Sequence, residues 1–331
     1  MNPHTYKPKV SIVMSFYSEP LQWIRFAVES VLGQTFRDFE LIVVCDNPEN
    51  TDGLAYIRSL QDSRIRLIVN PENLGPTKSF NIAIAASSGE YIARMDADDI
   101  CLPERLEMQV AYLDSNPEVS VCSTDTHAID KDGKIIRRRR YRRKRNIELM
   151  FISNCIPHPS VMFRRSLLEL RNPIYNEEYI YTQDYELWQF LLLKGCRFHM
   201  LDKVLLLYRK TRKQISSAKK AKQTELLRMA HRSLITDWLL KQGIISSEDC
   251  DDLKTMLLKS TEAFASHKDR HERKCLANII YVLYYSLGTT DWKYRLKYLA
   301  DSNLILFRVR IIFTLRLLFS VEKRRHRIGL V

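Results

Sequence analysis

The sequence predicts an α/β fold, a mostly parallel sheet flanked by helices and followed by a helical C-terminal extension. Through the first hundred residues, apolar runs of strand length alternate with stretches whose apolar residues recur at helical spacing. Alternation of this kind builds parallel strands joined by right-handed helical crossovers. Beyond about residue 215 the strand-length runs stop, and helical spacing continues to the end with breaks at Gly243 and Gly288.

Residues 10–15 are a near-continuous apolar run and read as the first strand. Residues 21–33 follow at helical spacing, with Gly33 as their stop. Residues 39–46 (Phe-Glu-Leu-Ile-Val-Val-Cys-Asp) read as a buried strand ending in a carboxylate. A helix over 51–60, a strand over 65–70, a helix over 77–87 and a strand over 91–95 continue the alternation. A helix over 103–116 precedes a strand over 119–124, and Asp132-Gly133 marks a hairpin turn. Residues 160–163 read as a strand, 184–194 as a helix closed by Gly195, and 198–201 and 204–208 as two last strands. In parallel sheets ligands bind beyond the carboxyl ends of the strands. Ser15, Asp46 and Asp96 fall at or just past such ends, so the pattern brings them to one crevice.

Composition narrows the chemistry. No two of the nine glycines lie closer than fourteen positions, whereas dinucleotide-binding and P-loop cradles need glycines about two to five apart. Both of those readings fall. Residues 1–130 carry 10 basic and 19 acidic side chains, residues 131–202 carry 15 and 8, and residues 203–331 carry 27 and 12. An acidic front half predicts a cation there, and two basic segments predict an anionic partner behind. Seven scattered cysteines without a CxxC point to reduced thiols in a cytoplasmic compartment, not to a zinc site or a disulfide frame. The first residues lack the apolar core of a signal peptide. The longest greasy stretch, residues 304–319, contains Arg308, Arg310 and Arg316. A spanning helix wants ~20 apolar residues with few charges.

The sharpest chemical feature is Asp96-Ala97-Asp98-Asp99, directly after an apolar strand. Three carboxylates in four residues repel one another unless a cation sits among them, and their hard oxygens suit Mn²⁺ or Mg²⁺. Such an ion can hold a diphosphate, supplying the charge that a glycine-rich cradle would otherwise share. A bare DxD also occurs as a solvated turn or a helix cap. Its place at a strand end, with Asp46 at another, favours the metal reading.

Nine stretches then match one family in order. The earlier ones are Val10-Ser-Ile-Val-Met-Ser-Phe-Tyr17, Ser30-Val-Leu-Gly-Gln-Thr-Phe36, Phe39 to Asp46, Asn73-Leu-Gly-Pro-Thr-Lys-Ser-Phe-Asn81 and Gly89-Glu-Tyr-Ile-Ala-Arg-Met-Asp-Ala-Asp-Asp99. The later ones are Pro103-Glu-Arg-Leu-Glu107, His158-Pro-Ser-Val-Met-Phe-Arg164, Gln183-Asp-Tyr-Glu-Leu-Trp188 and Gln214-Ile-Ser-Ser217. Together they resemble the family 2 glycosyltransferases, inverting enzymes of the GT-A fold, and among them the bacterial ones that build cell-surface polysaccharide or lipopolysaccharide. The resemblance implies a Rossmann-like nucleotide-diphospho-sugar transferase domain over residues 1–215, with a nucleotide-binding half (1–100) and an acceptor-binding half (101–215). Residues 216–331 form the basic helical region.

Roles follow from the resemblance position by position. Ser15 and Tyr17 would line the base and ribose, and Asp46 would accept a hydrogen bond from the base. Asp96 would contact the ribose or the metal, and Asp98 would be the principal ligand of Mn²⁺ or Mg²⁺. Lys78 and Arg94 are the cationic candidates near the nucleotide, and Asp99 is given a structural role, capping the next helix. Asp184 is the implied general base, since inverting transfer needs a carboxylate opposite the departing diphosphate to take the acceptor hydroxyl's proton. Trp188, four residues on and on the same helical face, is either a platform for an acceptor sugar or a core residue.

Three departures stand out. Thr211 replaces the histidine with which many relatives complete the metal shell, leaving that position to water and making Arg209, Lys210, Arg212 or Lys213 candidates to neutralise diphosphate. Asn172-Pro-Ile-Tyr175 replaces the glycine-glycine-tyrosine before the base. No QxxRW follows Asp184, which argues against a processive synthase. His158 reads as structural.

Eight cations occupy the nine positions from Arg137 to Arg145, a density that repels itself unless a polyanion is near. Arg138, Arg139 and Arg140 are therefore candidate acceptor contacts, facing phosphates of a lipid-linked acceptor or anionic headgroups. The tail from Tyr294 to Arg327 mixes apolar and basic residues, as an interfacial helix does, or a helix packed on the catalytic domain or another subunit. The expected partners are a nucleotide-diphospho-sugar, a UDP-sugar first, a glycan or lipid-linked acceptor, and an anionic surface at the inner face of the cytoplasmic membrane. No nucleic acid is expected, because no helix-turn-helix, zinc or aromatic RNA-binding signature accompanies the charge. The competing classes are a basic nucleic-acid-binding protein, a non-catalytic scaffold on the same fold, and a metal-free glycoside hydrolase using paired carboxylates.

Overall fold

The computed structural model describes residues 7–138, 154, 156–210 and 220–286. The first half alternates β1 (Val10–Phe16), α1 (Leu21–Leu32), β2 (Phe39–Cys45), α2 (Thr51–Ser59), β3 (Ile65–Val69), α3 (Pro76–Ala86) and β4 (Tyr91–Asp96). There follow β5 (Ile100–Cys101), α4 (Arg105–Ser115), β6 (Val119–Ile129), β7 (Ile135–Arg138), β8 (Met162–Arg164), α5 (Gln183–Leu193) and β9 (Arg197–Arg209). Helices α6 (Lys220–Lys241), α7 (Leu253–Ser266) and α8 (Arg270–Ser286) complete the described chain.

The described strands form one sheet in the order β3-β2-β1-β4-β8-β6-β9-β5, with β7 added to β6. Strands β3, β2, β1 and β4 are mutually parallel, as are β6 and β9, while β8 runs antiparallel to both its neighbours. Strands covered on both faces need apolar residues at every position, which is why β1 and β2 read as continuous runs. One core gathers Ile12, Met14, Leu41, Val43, Ala93 and Met95 with Ile24, Val28, Leu106 and Val110 of α1 and α4. A second, holding alternate residues of the same strands such as Val13, Ile42 and Ile92, includes Phe80 and Ile84 of α3 and Tyr185, Trp188 and Leu191 of α5.

The chain divides into two compact units, Met1–Leu234 and Ile235–Val331. The first holds the sheet. In the second, α7 and α8 pack on one another, and buried residues include Met256, Phe264, Leu276 and Ile279. Among the described residues no helix is long and apolar enough to cross a membrane. The basic run beyond Arg138, residues 211–219 and the tail from residue 287 lie outside the described residues.

Three expectations are corrected locally. The two last strands are one continuous strand, β9. The strand over 160–163 begins only at Met162, because residues His158–Ser160 form a 3-10 turn closed by Ser160 N–H to the Pro157 carbonyl. Strand β5 was not expected; it consists of two residues held by pairing with Leu206 and Leu207 of β9.

Candidate active site

The chain runs from β1 out to β2 and β3, then returns to place β4 on the other side of β1. This is the switch point at which open parallel sheets bind ligands. Register aligns Ser15 of β1 with Asp96 of β4 and with Val44 of β2. Ser15 is half-buried, and Tyr17, one residue past the strand, is exposed. Asp46 follows β2 at 2% exposure. Its Oδ1 accepts from Asn70 Nδ2 (2.7 Å) and Leu74 N (2.9 Å), and its Oδ2 accepts from Gly75 N (2.9 Å). Asp46 therefore shapes the loop that enters α3, where Gly75 adopts φ +83°. Lys78 is exposed on α3, 3.9 Å from Glu177.

Asp96, Asp98 and Asp99 each bring a carboxylate oxygen within 4.8 Å of the others. Arg94 Nη2 pairs with Asp96 Oδ1 at 2.8 Å, and its guanidinium lies 4.2 Å from the Phe80 ring centroid. Asp99 is fully buried, and its Oδ2 has no hydrogen-bond partner. Burial, then the charges of Asp98 and Asp96, push its pKa well above the usual carboxylate range. Hard oxygen donors, mutual repulsion and one orphaned carboxylate oxygen fit a divalent cation such as Mn²⁺ or Mg²⁺.

One arginine fixes this turn. Arg209 ends β9 and is fully buried. Its backbone N–H donates to Asp99 Oδ1 (2.8 Å), its Nε to the Asp98 carbonyl (2.7 Å), and its Nη1 to the carbonyls of Asp130 (2.6 Å) and Lys131 (3.0 Å). The guanidinium lies over Trp23, whose Nε1 donates to the same Lys131 carbonyl. Through Oδ1, Asp99 thus holds β9 and does not cap α4, whose N-terminus has no side-chain cap. Arg209 is a buried clamp and not a surface cation open to a diphosphate. Arg212 and Lys213 lie outside the described residues, and Lys210 is exposed.

Asp184 stands in the first turn of α5 with 21% of its side chain exposed. Asn154 Nδ2 donates to its Oδ2 at 2.6 Å. Burial raises its pKa, opposed by backbone hydrogen bonding at the helix start and by the charge of Arg94. His158 Nδ1 lies 3.9 Å from the same oxygen, while Nε2 bonds the Tyr175 hydroxyl at 2.7 Å. Burial, then Arg94, hold His158 well below its usual pKa, so the imidazole is neutral. Trp188 is fully buried, edge-on to His158 and Phe198. A sugar platform needs an exposed ring face, so Trp188 is the core residue of its two readings. Arg138 lies in β7, while Arg139 and Arg140 fall outside the described residues.

The structure brings Ser15, Asp46, Arg94, Asp96, Asp98 and Asp99 to one end of the sheet. The spacing argument missed Asn154, Tyr175 and the clamping role of Arg209. Each acts through a partner thirty or more positions away, or in Tyr175's case through a turn of irregular backbone. Glu19 was missed too: it accepts from Tyr17 N at 2.6 Å, and burial, with Asp96 adding to it, raises its pKa.

A GT-A sheet carrying an acidic cluster at its switch point defines the class, a glycosyltransferase. The chain belongs to glycosyltransferase family 2, whose family model (Glycosyl transferase family 2) matches residues 11–171. It is 36% identical over 208 residues, 61% of this chain and 71% of the relative, to an uncharacterized glycosyltransferase of Methanocaldococcus jannaschii. It is 27% identical over 205 residues, 60% and 79% of the two chains, to an O-antigen biosynthesis glycosyltransferase of Escherichia coli. In fold it is similar to residues 1–349 of S. aureus TarS, solved in complex with UDP-GlcNAc, at TM-score 0.56 and 18% identity over 85% of this chain and 92% of that one.

Proposed function

We propose that the protein transfers one sugar per encounter, with inversion, from a nucleotide-diphospho-sugar to a hydroxyl of a glycan or lipid-linked acceptor in bacterial surface-polysaccharide synthesis. A UDP-sugar is the first donor to try, since the TarS structure sharing this fold holds UDP-GlcNAc. The surface-glycan context is supported by the relative named for O-antigen synthesis. We put the reaction in the cytoplasm, with the acceptor at the inner membrane face. The observation that carries the reading is the three-carboxylate cluster at the switch point, its Asp96 in register with Ser15 and paired with Arg94, whose charge also acts on the carboxylate of Asp184.

Ser15, Tyr17 and Asp46 bind and orient the nucleoside, and Lys78 and Arg94 add positive charge around it. Asp98 and Asp96 would hold Mn²⁺ or Mg²⁺, with Asp99 behind them. Held there, such an ion would supply positive charge against the departing diphosphate. Asp184 takes the acceptor hydroxyl's proton as that oxygen attacks the anomeric carbon, and Asn154 fixes its carboxylate. Neutral His158, bonded to Tyr175, packs against it and keeps water from its inner side.

The test is a panel of UDP-, GDP- and TDP-sugars offered with Mn²⁺, reading nucleoside diphosphate release. Release with one donor, lost in EDTA and in Asp98→Asn, is expected. Absence of both binding and turnover across the panel would overturn the reading.

A further inference from the structure

The β6–β7 arm is not accounted for by the reaction. Among the described residues β7 pairs with β6 alone. Ile135 is 42% exposed and Ile136 54% exposed. Ile136 is the extra residue of a β-bulge opposite Ala128 and Ile129, where the regular alternation of faces is broken, and both aliphatic side chains reach solvent. Lys131, Lys134 and Arg137 are exposed beside them, and the sequence continues through the cations that end at Arg145. The acids of the arm are already engaged. Asp130 Oδ1 accepts the amides of Asp132 and Lys134 to form the turn, and Asp132 pairs with Lys131 at 3.3 Å. The root of the arm is bonded to the aspartate turn, since Arg209 donates both to the Asp130 and Lys131 carbonyls and to that of Asp98.

We propose that this arm docks the enzyme on an anionic bilayer, Ile135 and Ile136 seated at headgroup level and Lys134 and Arg137 on lipid phosphates. The inference deepens the proposed function by naming the surface that presents the acceptor, and it rests on that reading for this point alone. A soluble polyanion, nucleic acid included, is met by charge and leaves two exposed aliphatics without a role. A bilayer interface takes both the apolar side chains and the cations. Because Arg209 spans arm and cluster, a docked arm holds the catalytic crevice beside the membrane.

The full chain is sedimented with vesicles of phosphatidylcholine, alone or with about 30% phosphatidylglycerol as the anionic lipid. Binding to the mixed vesicles and not to the neutral ones is expected. Ile135→Ser/Ile136→Ser should lower the partition about tenfold, as loss of apolar insertion does, with nucleotide-sugar hydrolysis unchanged. Lys134→Glu/Arg137→Glu should do the same and serves if the serine pair misfolds. The inference is overturned if the wild type ignores anionic vesicles, whether or not it shifts nucleic acid. It is equally overturned if either folded variant binds vesicles like the wild type, which would locate attachment elsewhere in the chain. Vesicle binding without nucleotide-sugar turnover sinks the proposed reaction and leaves the docking intact, so the two failures are told apart.

Discussion

Asp184 is held in tension: burial raises its pKa while the helix start and Arg94 lower it, and burial prevails. Only the ionised carboxylate accepts a proton. Lowering the pH through the raised value therefore removes the proposed base, and the acid limb of kcat/KM should lie above the ordinary aspartate value of about 3.9. In Asp184→Asn the limb should vanish and the rate fall by about 10²–10⁴, with donor binding unchanged in calorimetry. A variant that keeps the wild-type rate would remove Asp184 from this role. Arg209 calls for a different readout. Its guanidinium satisfies three backbone carbonyls and orients the turn that carries Asp98 and Asp99. Arg209→Met should cost about 3 kcal/mol of stability and weaken Mn²⁺ binding, followed by calorimetry on the protein without donor. Arg209→Lys, which keeps the charge but not the fork, should recover only part of the affinity. Wild-type Mn²⁺ affinity in a folded Arg209→Met would show that the clamp does not set the cluster.

At the level of elements, the close approach of the β4 entry to β1 rests on one glycine. A Cβ on Gly89 would stand 2.5 Å from Ser11 N and 2.8 Å from the Val10 carbonyl carbon, and both are backbone atoms of a central strand that cannot yield. Gly89→Ala should destabilise by about 2 kcal/mol, seen as a lower urea midpoint; an unchanged midpoint would mean that β1 yields. Periodicity sees only what burial imposes locally, and that explains which elements were legible. β1, β2 and β4 were read to within a residue because both faces are covered. β9 was read as two strands because exposed Asp202 and Lys203 interrupt its apolar pattern, while pairing with β6 carries it through a register shift at Thr124/Asp125. β5 has no pattern of its own and exists through β9. The site divides the same way. Strand-end carboxylates stood out in the sequence, whereas the partner of Asp99 lies 110 positions away, so local spacing suggested a cap that is not there.

Across the whole molecule the site concentrates charge of one sign. Asp96, Asp98 and Asp99 lie within one cluster, and Glu19 is near enough for Asp96 to raise its pKa. Arg94 pairs with Asp96, while Arg209 gives the turn its backbone and side-chain N–H groups. Under the proposed function this arrangement gives up stability for cation affinity, as functional sites commonly do. Two opposite effects follow for one substitution. Asp98→Asn removes a like charge from the cluster, so without metal the variant should melt above the wild type, by the several degrees that about 1 kcal/mol gives. Adding Mn²⁺ should raise the wild-type melting temperature, because an ion bound only by the folded state stabilises it by mass action. The same addition should leave Asp98→Asn nearly unmoved. Differential scanning calorimetry of both proteins, with EDTA and with Mn²⁺, gives all four values. An undiminished Mn²⁺ shift in the variant would place the ion elsewhere. A metal-free variant less stable than the wild type would mean that the carboxylates are held together by the fold's own hydrogen bonds and not poised for a cation.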